Sequence, residues 1–105
     1  MVRLNTLEML IERWGHEKGI LPYAVPMAQL EKTEEEVAEL RQAIEDRDVE
    51  EIADAIGDIF VTLVMQTRAW GLDMETCVEQ AYQTISKRTG VMVDGKFVKD
   101  DDNGC

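Results

Sequence analysis

The stretch from Val49 to Trp70 constrains this chain more than any other. It contains no proline, and Ile52, Ile56, Ile59 and Leu63 recur at the steps of four, three and four that place them on one face of a helix. Between Ile59 and Met65 the apolar residues spread around nearly the whole circumference. A helix apolar on every side must be surrounded by protein, and the rest of one short chain can hardly supply that surround. A partner chain is therefore expected.

The flanking segments read as three more helices. A first runs from about Thr6 to Lys18, with Leu7, Leu10, Ile11 and Trp14 on one face and Gly19 as its stop. After a loop holding Pro22, Pro26 suits the first turn of a second helix, which extends to about Asp46 and carries Leu30, Thr33, Val37, Leu40 and Ile44 inward. Asp46-Arg47-Asp48 is a polar hinge before the central helix. Gly71 ends that helix, and Asp73 suits the N-cap of a fourth, Met74 to about Lys87, with Cys77, Val78, Ala81 and Ile85 facing inward. Past Gly90, Val91-Met92-Val93 and Lys96-Phe97-Val98 flank Asp94-Gly95, the dipeptide suited to a type I′ turn. The expectation is an all-α, four-helix bundle-type protomer with a short C-terminal β-hairpin, a helical domain over 1–99 and a frayed acidic tail over 100–105. Met65, Met74 and the other methionines read as core filling, and His16 as an ordinary surface residue.

Charge narrows the function. Twenty-two Asp and Glu against eleven Lys and Arg leave a net charge of −11 in 105 residues. Nucleic acid polymers and anionic membranes would be repelled. The two cysteines, Cys77 and Cys105, and one histidine supply neither a disulfide framework nor a zinc site. With no apolar run of the roughly 18 residues a span needs and no signal core at the amino terminus, a cytoplasmic setting is expected.

The acids themselves are placed. At about 100° per residue, Gln29, Lys32, Glu36, Glu39 and Ala43 fall within roughly an 80° sector bordering the apolar stripe of the second helix. Glu51, Asp54 and Asp58 share one face of the third. If the two helices pack antiparallel across the hinge, Glu36 and Glu39 come opposite Asp54 and Asp58. Like charges about 4 Å apart repel by roughly 1 kcal/mol in water and roughly 4 kcal/mol at an effective dielectric of 20, so such a meeting needs a neutralising cation. An all-oxygen donor set selects Mg2+, or Mn2+, over zinc, and points to cleavage of phosphate esters or anhydrides. Against this stands an ordinary solvated acidic helix face, for which Lys32 with Glu36 is the one obvious opposite-charge pair on the sector.

Glu35-Glu36-Val37-Ala38-Glu39-Leu40, followed by Glu51-Ile52-Ala53-Asp54-Ala55-Ile56-Gly57-Asp58, resembles the EExxE…ExxD signature of the MazG-like all-α nucleoside triphosphate pyrophosphohydrolases, relatives of the dimeric dUTPases. The ending from Ile85 through Arg88, Gly90 and Gly95 to Lys99 is similar to that of small bacterial and phage members. The resemblance implies magnesium-dependent hydrolysis between the α and β phosphates of a nucleoside triphosphate, and assembly as a homodimer or a homotetramer built as a dimer of dimers. It implies Glu36, Glu39 and Asp58 as metal ligands. The family's second glutamate falls on Ala55, so either Asp54 replaces it or the ExxD unit is Glu51…Asp54.

On that reading Glu35 and Glu51 are candidates to orient the attacking water. Lys32, Lys87 and Arg88 are candidate phosphate donors, and Lys87 and Arg88 also suit a helix C-terminus on dipole grounds alone. Trp14 could stack on the base and Gln29 read its edge, although a tryptophan on an apolar helix face is as readily core. The competing class is a non-catalytic helical dimer, a regulatory or antitoxin-like protein whose acidic face docks a basic partner.

Overall fold

The structure is a computed structural model, in which residues 1–100 are described. Four helices, α1 (Leu4–Glu17), α2 (Pro26–Glu45), α3 (Val49–Ala69) and α4 (Met74–Ile85), precede strands β1 (Gly90–Val93) and β2 (Lys96–Lys99), so the chain is all-α with a terminal hairpin, as expected. Of the tail, residues 101–105 lie outside the described residues. The chain divides into two compact units, one of residues 1–75 and one beginning at Thr76.

In the first unit α2 and α3 form an antiparallel pair. Gln66 Nε2 donates to the Pro26 carbonyl at 3.0 Å. Thr33 Oγ1 donates to Thr62 Oγ1 at 2.8 Å, and Thr62 Oγ1 in turn donates to the Ile59 carbonyl at 2.7 Å. Rising numbers on α2 meet falling numbers on α3, so the hinge folds the two helices back on each other.

Its three turns at helix ends are built alike. After α1, Ile20 N–H reaches the Gly15 carbonyl; after α2, Asp48 N–H reaches Ala43; after α3, Leu72 N–H reaches Thr67, each a Schellman closure. Gly19 and Gly71 supply the left-handed residue at two of them, and Arg47, at φ 54°, takes that role at the hinge. Asp48 then caps α3 by accepting the Glu51 N–H at 3.2 Å.

The core is small: Leu21, Val64 and Met65, flanked by Ile11, Ile20, Ala24, Phe60 and Met74. Gly15 makes it possible. A Cβ at this position would lie 2.8 Å from Met65 Sδ and 3.0 Å from Leu21 Cδ1, so α1 approaches α3 only because the side chain is absent. Arg68 and Glu8 add a polar tie between the same helices, Nη1 to Oε2 at 2.7 Å, while Arg68 Nη2 reaches Glu12 Oε1 at 3.0 Å. Glu8 Oε2 also accepts the Met74 N–H at 2.8 Å, at the start of α4.

Several expected core residues lie on the surface of the single chain. Leu30, Val37, Ile44, Ile56 and Leu63 are exposed on α2 and α3, as are Leu7, Leu10 and Trp14 on α1. On α4, Val78 and Ile85 are exposed and Cys77 half-buried, against the expectation that they face inward. The physical reason is volume: a core centred on three buried side chains cannot cover four amphipathic faces. Met65 and Met74 do fill core, whereas Met9, Met27 and Met92 are exposed.

In the second unit β1 and β2 pair antiparallel, Gly90 with Lys99 and Val93 with Lys96. Asp94 (φ 50°) and Gly95 (φ 79°) make the turn with both residues left-handed, as a type I′ turn requires. Asp100 is not frayed as expected: its N–H donates to the Thr89 carbonyl at 2.8 Å, and its carboxylate accepts the Thr89 hydroxyl.

Candidate functional site

The antiparallel pairing carries the acids of α2 to those of α3. Glu36 and Asp58 line one cleft of about 440 Å³ together with Trp14, Ile20, Gln29, Lys32, Val61, Thr62 and Met65. That volume lies in the range of small-molecule sites. Glu36, Glu39, Asp54 and Asp58 also act on one another electrostatically. The Glu36 carboxyl is pushed up to about 7, first by its hydrogen bond with Glu39, then by burial and the charges of Glu39 and Asp58, with Lys32 opposing. Asp58 is raised by burial, then by the charges of Asp54 and Glu39 and by its hydrogen bond with Asp54. The predicted face-to-face meeting of the two acidic pairs is therefore present, and it carries the predicted penalty.

One atom marks where that penalty is concentrated. Glu36 Oε2 is buried and has no hydrogen-bond partner. A buried carboxylate oxygen without a donor is costly, and the charges that act most strongly on Glu36 are themselves carboxylates. A hard cation would satisfy it, and the all-oxygen donor set fits magnesium or manganese. Among the described residues, no group of three or more His, Cys, Asp or Glu stands close enough to hold a metal ion as arranged. The donors stand instead as a pair on each helix.

The remaining candidates fall in different places. Asp54 acts directly on Asp58, and Glu51 is absent from the groups that shift either Glu36 or Asp58. Ala55 is buried at 4% exposure, turned into the protein. Lys32 donates to Glu35 at 3.1 Å, so the pair expected with Glu36 forms one residue earlier. That bond, with the charges of Glu35, Glu36 and Glu39, raises the Lys32 pKa. Glu35 is exposed and reaches the cleft only through Lys32. Trp14 and Gln29 line the cleft, Trp14 at 41% exposure, so the indole is cleft wall and not enclosed core. Lys87 and Arg88 belong to the second unit, where they line a separate cavity with Lys99. His16 is a surface residue, 4.0 Å from Glu12.

The sequence reading passed over Thr33, counted within the apolar stripe of α2, and Thr62, which lies in the stretch read as apolar nearly all round. Together they pin α2 to α3 beside the cleft, and Thr62 lines it. Their signal was a hydroxyl at equivalent depth in two facing stripes. Ile20, Val61 and Met65, which form the apolar wall, carried no separate signal.

No curated protein and no solved structure matches the chain. Residues 8–84 match the phosphoribosyl-ATP pyrophosphohydrolase family, a span that includes both acidic pairs and the whole cleft. The chain is thus a member of the phosphoribosyl-ATP pyrophosphohydrolase family, within the superfamily of MazG-like all-α nucleoside triphosphate pyrophosphohydrolases.

Proposed function

We propose that this protein hydrolyses a nucleoside triphosphate between its α and β phosphates, releasing the monophosphate and pyrophosphate in a magnesium-dependent reaction. The observation that carries the reading is the composition of the 440 Å³ cleft, which joins Trp14 and Gln29 to Lys32, Glu36 and Asp58. An aromatic face and an amide suit a base, a lysine suits phosphate, and unneutralised carboxylates suit a cation.

Glu36, Glu39, Asp54 and Asp58 would hold the cation. When bound, magnesium supplies charge neutralisation at the phosphates and a more acidic attacking water. Lys32 stabilises negative charge building on the phosphate oxygens, and Glu35 positions it through their 3.1 Å contact. The attacking water is oriented by a carboxylate of the acidic pairs themselves. Trp14 stacks on the base against the apolar wall of Ile20, Val61 and Met65, and Gln29 offers both a donor and an acceptor to its edge.

We further propose that the chain works as a homodimer or homotetramer. Support comes from Leu30, Val37, Ile44, Ile56 and Leu63, apolar residues at helical spacing that the single chain leaves open. Light scattering at micromolar concentration checks this, with a monomer as the refuting result.

The activity is tested by incubating the protein with each common ribo- and deoxyribonucleoside triphosphate, and with phosphoribosyl-ATP, plus magnesium. Release of pyrophosphate is expected from at least one. Glu39→Ala and Asp58→Ala should abolish it with helicity unchanged. No turnover of any of these compounds by folded protein overturns the reading.

A further inference from the structure

The cleft between α2 and α3 is graded along its length. Glu36 and Asp58 stand towards one end and Gln29 and Met65 towards the other, with Thr62 between them on α3. At about 1.5 Å of rise per residue, Thr62 lies about 6 Å along the helix from Asp58 and about 4.5 Å short of Met65. A nucleotide held with its phosphates at the acidic end and its base against the apolar wall has its sugar at the level of Thr62.

Thr62 is buried, at 8% exposure, and its hydroxyl meets that of Thr33 at 2.8 Å, across the seam where the two helical walls of the cleft join. A threonine hydroxyl has one proton and two lone pairs. Here the proton goes to the Ile59 carbonyl at 2.7 Å, and one lone pair takes the proton of Thr33. Thr33 also has a second acceptor, the Gln29 carbonyl at 3.1 Å, so the chain can run the other way, from Thr62 to Thr33 to Gln29. In both arrangements the Thr62 proton is spent inside the protein and at least one lone pair is left over. This hydroxyl can therefore accept a further hydrogen bond at no loss, but can donate one only by giving up an internal bond.

The groups on a nucleotide sugar that can donate are its 2′ and 3′ hydroxyls, since the ring oxygen only accepts. We infer that Thr62 is a specificity-determining residue that accepts a hydrogen bond from a sugar hydroxyl, which makes the substrate class a nucleotide with a free 2′ or 3′ hydroxyl. The inference rests on the proposed nucleotide chemistry and adds a requirement that neither the acids nor the base-facing residues impose. The two hydroxyls present the same chemistry to Thr62, and the test separates them.

The test compares kcat/KM for the ribo, 2′-deoxy, 3′-deoxy and 2′,3′-dideoxy forms of the triphosphate that the full chain cleaves fastest with magnesium. The dideoxy form is expected to fall about five- to ten-fold below the ribo form, the worth of one neutral hydrogen bond. A fall on removing the 2′ hydroxyl alone assigns the contact to that group, and a fall on removing the 3′ hydroxyl alone assigns it to the other. Thr62→Val keeps the shape without the hydroxyl, and it leaves Thr33 the Gln29 carbonyl to donate to, so no donor is orphaned. In this variant the ratio of ribo to dideoxy should collapse to near one, whereas Thr62→Ser should keep it. Because the ratio is taken within each protein, a general loss of stability does not move it. Equal kcat/KM for the four sugars, or an unchanged ratio in Thr62→Val, overturns the inference and leaves the proposed activity standing. Failure to cleave any nucleotide overturns the activity and this inference with it.

Discussion

Arg68 Nη1 lies 2.7 Å from Glu8 Oε2, joining two side chains sixty residues apart in a place where water scarcely reaches either. Burial alone would lower the Arg68 pKa, but the hydrogen bonds to Glu12 and Glu8 outweigh it and raise it instead. The same Glu8 oxygen accepts the first N–H of α4. One carboxylate thus links α1 to α3 and to the entry of the fourth helix.

Breaking this pair should cost more than breaking its neighbour. Arg68→Ala leaves Glu8 buried without its counter-charge and is expected to lower stability by about 3 kcal/mol. Glu12→Ala removes a partner whose side chain is 39% exposed, and should cost about 1 kcal/mol or less. Urea denaturation of the two variants measures the difference. Equal midpoints would contradict the ranking.

The acidic cleft should give metal-free protein an inverted pH response. Glu36 is held at about 7 in the folded state against 4.5 when unfolded, so the native state keeps its proton more firmly. A carboxyl shifted upward favours folding below its unfolded value and loses that contribution as pH rises through 4.5 to about 7. Asp58, raised in the same direction, adds to the loss. Melting temperatures in EDTA should show Glu36→Gln gaining on the wild type as pH climbs through this window. Magnesium should rescue the wild type at the alkaline end and leave the variant nearly unmoved. Parallel melting curves for the two proteins across the window would refute the assignment.

Asp54 and Glu51 separate the two registers of the acidic signature. Asp54 faces Asp58, so Asp54→Asn should depress turnover as severely as Asp58→Asn, by roughly a hundred-fold or more if both hold the cation. Glu51→Gln should be mild. Severe losses in Glu51→Gln and Asp54→Asn with a mild one in Asp58→Asn, in steady-state assays, would move the ExxD unit to Glu51…Asp54.

Much of this was legible in the amino-acid order. Helix positions follow from Gly19, Pro26, Asp48 and Gly71, which act locally, and the antiparallel meeting of Glu36 with Asp58 follows from a short hinge between two long helices. The hinge itself was readable as a break but not as a Schellman closure, because Arg47 stands where glycine would have announced one. Arg68 with Glu8 was hidden for a different reason. The pair is set by the approach of α1 to α3, which depends on Gly15 being small, and no periodicity reports that distance. Burial was over-read on all four helices, since an apolar stripe states that a face is to be covered without stating by which chain.

Gly15 offers a test that couples packing to binding. Gly15→Ala places a methyl group 2.8 Å from Met65 Sδ, and Met65, fully buried, has little room to withdraw except toward the cleft it lines. A loss of about 1 to 3 kcal/mol is expected from overpacking. The KM for the preferred nucleotide should rise while kcat changes little, because the displaced side chain belongs to the apolar wall and not to the acidic pairs. A fall in kcat at unchanged KM would count against the placement of the base.

The burial of α3 is uneven, and that has an evolutionary consequence. Its buried residues Thr62, Val64, Met65 and Thr67 all lie in the second half, while in the first half only Ala55 is buried. The helix is anchored at one end and carries its acids at the other. Substitutions between Val49 and Asp58 therefore fall on the half that carries the acids, while the anchored half holds the scaffold constant. A lineage built this way is free to change its chemistry by point mutation without first having to rediscover its fold.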